Sequence, residues 1–215
     1  ASGGVMTPGV DPRSPSFTLE ELAAGVEEGR KAFRVVAAHA QSTAGIKNAV
    51  QAGVDSIEHG VWLDEEAIEM MLDRGTVLVP TLTAPHQIVA GGAGGVLPEY
   101  MVAKGQQVME DHIRSFESAV NAGVKVAMGT DQGTPFNRPG ENAQEVVRMA
   151  EHGISPAAAL LAATAWAAEL LRLDDECGRL RTGLSADIVV IPEDPLAHLG
   201  VLARPDEFLA VVTRG

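Results

Sequence analysis

AAHAQSTAGIKNAVQAGVDSIEHG, residues 37–60, places a histidine at the end of each of two short apolar runs, with one helix between them. The run from Arg34 to His39 is too short for a helix and reads as a buried strand. Thr43 to Ala52 reads as a helix, closed by Gly53. Val54 to His59 reads as the next strand. A strand, a short link, a helix and a second strand make a βαβ unit, which implies parallel strands joined by a right-handed crossover.

The rhythm continues in both directions. Upstream, Thr18 with Glu21 three residues later forms a capping box for a helix from Leu19 to about Ala32. The Gly-, Pro- and Ser-rich stretch before it reads as loop. Downstream, Asp64 to Asp73 reads as a helix closed by Gly75, with Arg74 in its last turn. Thr76 to Thr81 is a third strand. A Gly- and Pro-rich excursion from Ala84 to Glu99 follows. A long helix then spans about Tyr100 to Ala122, and Val124 to Gly129 is a fourth strand. Beyond it, 141–152 and 155–171 read as helices, and Ala186–Ile191 and Phe208–Thr213 as strands of a separate tail. The fold class is α/β.

Bulk properties narrow the functions. The chain has 215 residues and is 46% hydrophobic, enough to bury a core. Its net charge of -13 argues against a nucleic-acid partner, because an acidic surface repels phosphate backbones. No apolar run approaches the ~20 residues needed to span a bilayer, so no membrane role is expected. With a single cysteine, Cys177, and no targeting segment, the expected location is the cytoplasm.

Three polar residues follow three of the apolar strands: His39, His59 and Asp131, the last in Met128-Gly129-Thr130-Asp131. In a parallel α/β barrel that end of the strands builds the active site. Two imidazoles and a carboxylate are ligands that a Zn2+-type ion prefers, at roughly 2.0–2.2 Å. Strand ends about 4.8 Å apart can bring such side chains to one ion. Taken singly, each has an ordinary reading: a hydrogen-bonded core histidine, or an aspartate in a turn. Their equivalent places in a repeat make the metal reading specific. Gln41 and Thr81 are assigned to the same pocket as substrate contacts. For His86, in the loop after the third strand, substrate contact and a solvated loop position both stay open. His112 reads as a surface residue of the long helix, His152 as a helix-end cation, and His198 as structural.

These residues lie in a longer series of motifs. Besides residues 37–60, it contains LVPTLTAPH (78–86), VKVAMGTD (124–131), GISPAAALLAATAWAAELL (153–171) and GRLRTGLSADIVVIPEDPL (178–196). In content and order the series resembles the amidohydrolase superfamily, in particular its imidazolonepropionase-like and Xaa-Pro-dipeptidase-like branch. The resemblance implies a (β/α)8 TIM-type barrel with a small composite β-sandwich. Residues 1–172 would hold strands 5–8 with their helices, and 173–215 a sandwich segment. It implies His39, His59 and Asp131 as metal ligands from strands 5, 6 and 8, with Asp131 and His59 catalytic. It also implies a divalent cofactor, Zn2+ foremost, and a small amide substrate such as a dipeptide or cyclic amide.

The sequence departs from that family at two points. It contains no His-x-His pair, and the lysine that bridges two metals in relatives would fall before Ala1. The expectation is therefore the C-terminal half of a barrel, with an incomplete metal site and little activity alone. Its open edges call for a missing N-terminal half or a homo-oligomer. The competing reading is a non-catalytic fragment or α/β binding module that folds by association.

Overall fold

Local capping signals start and stop most of the helices. In the computed structural model, which describes residues 1–92 and 94–215, Thr18 Oγ1 accepts the Glu21 N–H at 3.3 Å and Glu21 accepts the Thr18 N–H at 2.9 Å. This reciprocal box opens α1 (Leu19–Lys31). After β1 (Ala37–Ala40), Ser42 caps α2 (Thr43–Ala52), and Gly53 ends it at φ 91°. After β2 (Ser56–His59), Asp64 caps α3 (Glu65–Arg74), and Gly75 ends it at φ 67°. β3 (Val77–Val79) completes a parallel sheet in the order β1-β2-β3.

The register of that sheet decides where the site residues point. Ala37 pairs with Ser56 and His39 with Glu58, while Ser56 pairs with Val77 and Glu58 with Val79. Side chains alternate along a strand, so these residues share one face. Ala38, Ala40, Ile57 and Leu78 take the other face. There they pack with Ile46 and Val50 of α2, Met71 of α3, and residues of two later helices, α5 (Glu99–Ala122) and α6 (Gln144–Glu151). Ile57, Leu78 and Phe116 are each at most 1% exposed. Burial of each contributes about 2 kcal/mol. On the first face, Val77, Val79 and Ala127 meet Ala167 and Leu170 of a further helix, α8 (Ala165–Leu171).

Several expectations need correction. The first part of the excursion after β3 is not loop: it is α4 (Thr83–Gly92), with Pro85 in its first turn, where a missing N–H costs nothing. The fourth strand is reduced to a bridge, in which Leu78 N–H donates to Lys125 O at 2.9 Å and Ala127 N–H to Leu78 O at 3.0 Å. Beyond it, Met128 N–H turns to Ala162 O at 2.9 Å, leaving the sheet. The alanine-rich helix is two: α7 (Pro156–Ala163) and α8, broken at Thr164, whose hydroxyl bonds back to Leu160 O at 2.6 Å. The tail pairs β4 (Ile188–Val190) with β5 (Ala210–Val212) in antiparallel fashion. Among the described residues, no helix is long and apolar enough to cross a membrane.

Candidate active site

A cavity of about 520 Å³ opens beyond the C-terminal ends of β1 and β2, and His39, Gln41, His59, His112 and Asp131 line it. The N-terminal loop forms one wall. Ser2 Oγ accepts the Gln41 N–H at 2.6 Å, and the Ala1 nitrogen donates to His39 O at 2.5 Å. Lys104 of α5 fastens the far end of the loop, donating to Thr7 O at 2.8 Å and Val10 O at 2.5 Å.

His59 reaches the cavity through an unusual backbone. By strand alternation it belongs with Ile57 on neither Glu58's nor His39's face. Its φ of 74° turns the chain over at the strand end. The His39 and His59 rings thereby meet edge to face, 4.6 Å between centroids at 74°. His59 Nδ1 lies 2.6 Å from Thr81 Oγ1, and Thr81 is itself at φ 55°. Asp131 has φ 53°. Three non-glycine residues in the left-handed region, one ending β2 and two following the β3 strand and the Val126 bridge, mark stored backbone strain of the kind that clusters at functional sites.

Buried polar side chains brace two of these turns directly. His112 Nε2 donates to the His59 carbonyl at 2.9 Å. Asn137, only 3% exposed, donates to Thr130 O at 2.6 Å and Asp131 O at 3.2 Å. Electrostatics keep the imidazoles neutral. Burial, helped by the neighbouring His39 and His112, holds His59 down to about 3. Burial holds His112 down to about 4, and it also lowers His39. Burial raises Glu58 on β2, against the hydrogen bond from Ser56 Oγ at 2.6 Å.

Neutral imidazoles are the ligating form, so the donors fit a metal in kind. They do not fit in arrangement. Among the described residues, no group of three His, Cys, Asp or Glu side chains gathers closely enough to hold an ion. His39 Nε2 also faces the Gly3 carbonyl at 3.3 Å, an acceptor, so that nitrogen carries a proton here.

The other sequence candidates separate. Gln41 lines the cavity and is 5% exposed. Thr81, 3% exposed, acts on His59 from behind. His86 does not line this cavity; it sits on α4 and faces a small cleft with Arg148 and His152. His112 is not on the surface: it is 2% exposed, because it falls on the buried stripe of α5 with Val108 and Phe116. His198 is instead largely exposed, beside Glu193 at 3.6 Å. Sequence reasoning missed Asn137 and also Glu145, a carboxyl of α6 with no exposure at all. The spacing of Val108, His112 and Phe116 at four-residue steps was the available signal for His112.

Comparison with known proteins places the chain in a family. A profile of the amidohydrolase family matches residues 1–215. Ochratoxinase from Aspergillus niger is 35% identical over 209 residues, covering 95% of this chain and 42% of that protein. Imidazolonepropionase from Cutibacterium acnes is 30% identical over 187 residues, covering 86% of this chain and 41% of the relative. The structure of a Xaa-Pro dipeptidase with bound methionine superposes with a TM-score of 0.91 at 34% identity, over 99% of this chain and 52% of that one. The chain thus spans about half the length of the relatives it matches, and corresponds to the C-terminal portion of their TIM-type barrel. It belongs to the amidohydrolase family.

Proposed function

We propose that this chain carries part of the active site of a metal-dependent hydrolase acting on amide-type C–N bonds, with dipeptides or cyclic amides as the substrate class. The observation that carries the reading is the reversal at His59. A left-handed turn places its ring against His39, in a cavity that Asp131 also lines. A divalent ion such as Zn2+, held by His39, His59 and Asp131 with donors beyond these three, would supply Lewis acidity toward a carbonyl oxygen and toward water.

The chain's own groups account for binding and proton transfer. Asp131 is the base: its carboxylate takes the proton of the attacking water and returns it to the departing nitrogen. With Nδ1 donating to Thr81 Oγ1, 2.6 Å away, the His59 ring would leave Nε2 free for the ion. Gln41 and the Gly3–Thr7 segment of the N-terminal loop form the wall against which the substrate rests.

Metal analysis of the purified, dialysed chain tests this reading, with His59→Ala and Asp131→Ala beside it. The expected result is at most one weakly held ion per chain, with affinity at least ~10-fold weaker in both variants. Variants that hold the ion as well as the parent would show the site to be wrong. A metal-free parent would show that these three residues alone do not make a site.

A further inference from the structure

Glu145 has no part in the chemistry above, yet it is the charged side chain whose burial most needs a reason. It is 0% exposed on α6. Both of its carboxylate oxygens are engaged: Leu82 N–H donates to one at 2.7 Å and Thr83 N–H to the other at 2.7 Å. These N–H groups belong to the start of α4, where a helix presents unpaired donors. A residue 62 and 63 positions away along the chain thus caps α4.

The capped turn begins at Thr81. A β-branched residue at φ 55° persists only where its surroundings over-determine it. Glu145 fixes the two residues that follow Thr81, and the Thr81 carbonyl accepts the Ala84 N–H at 3.2 Å. The side chain of Thr81 then reaches His59 Nδ1 at 2.6 Å. From α6 to the cavity there is an unbroken line of hydrogen bonds and covalent chain: Glu145, the Leu82 and Thr83 amides, Thr81, His59.

We propose that Glu145 is a positioning residue, whose buried carboxylate holds the β3–α4 turn so that the Thr81 hydroxyl stays against His59 Nδ1 and fixes the ring presented to the cavity. Its consequence for hydrolysis rests on the function proposed above; the structural link does not. A carboxylate suits the task because two N–H donors require an acceptor at both positions. A glutamine offers one acceptor and sets an NH2 group against the other N–H.

The test is the nitrogen chemical shifts of the histidine rings in 15N-labelled chain, which report the tautomer of each imidazole. Thr81→Val, lacking the hydroxyl, sets the signature of a released His59. Glu145→Gln is expected to move the His59 signals toward that signature while leaving those of exposed His198 in place. A Glu145→Gln chain that melts at lower temperature but keeps the parental His59 signals would make Glu145 merely structural and overturn the proposal. Amide exchange of the parent covers the case in which the variant fails to fold. Leu82 and Thr83 should be protected as strongly as the β2 amides, and rapid exchange there also overturns it. A parent that binds no Zn2+ would sink the metal reading alone, since the His59 signals still decide Glu145.

Discussion

Replacing His112 by alanine is expected to destabilise the chain by about 3 kcal/mol and to disturb the turn at His59. Two losses add. The ring is 2% exposed, between Val108 and Phe116 on the buried stripe of α5, so its removal leaves a cavity worth about 2 kcal/mol or more. It also strands the His59 carbonyl, which accepts from His112 Nε2 at 2.9 Å; a buried acceptor without a partner costs about 1–3 kcal/mol. The turn would then lose a brace on a backbone already at φ 74°. Urea unfolding at neutral pH measures the first effect, and the His59 ring signals measure the second. His198→Ala is the control: its side chain is 73% exposed, and its removal should change stability by less than about 0.5 kcal/mol. A loss below about 1 kcal/mol for His112→Ala would mean that the ring is not the brace described here.

That result would also mark where the sequence stops being legible. The βα units could be read because their ends are set by neighbours in the chain. Thr18 with Glu21, Ser42, Asp64, Gly53 and Gly75 each act within a few residues of the helix that they start or stop. Residues 84–99 could not be read in this way, because glycine and proline dominate them. The start of α4 is instead held by Glu145, more than sixty residues later. The fourth strand failed for a related reason: a parallel strand needs its partners, and among the described residues only Leu78 bonds to Lys125 and Ala127. In the site, His39, His59 and Asp131 line one cavity. The means by which His59 arrives there carries no sequence signature. Histidine enters the left-handed region more readily than most residues but does not do so at every strand end, and nothing local announces a left-handed φ at β-branched Thr81.

The same buried groups give stability an unusual dependence on pH. His59 and His112, held near 3 and 4 against an ordinary 6.5, take up protons in the unfolded chain first. Stability is therefore lost as pH falls below about 6.5, by about 1.4 kcal/mol per unit for each ring until its folded value is reached. Glu145 acts in the opposite sense. Burial pushes it up to about 7 from 4.5, against the Leu82 and Thr83 amides, so the folded chain keeps its proton to higher pH. Its contribution is present below about 4.5 and is lost as pH rises through 7. Between pH 7 and 4.5 the two rings together withdraw about 5 kcal/mol, while Glu145 returns about 3, leaving a shallow net fall of about 2. Glu145→Gln removes the return and leaves the rest. Unfolding by urea at pH 7 and at pH 4.5 should therefore show a fall larger by about 3 kcal/mol in the variant than in the parent. Other carboxylates titrate over this range in both chains and cancel in the comparison, so the difference of about 3 kcal/mol belongs to residue 145. Parallel profiles would mean that Glu145 stays ionised across the range, held by its two amide donors and by Arg148 against the cost of burial. That outcome would give the carboxylate clamp on α4 full strength even in mild acid.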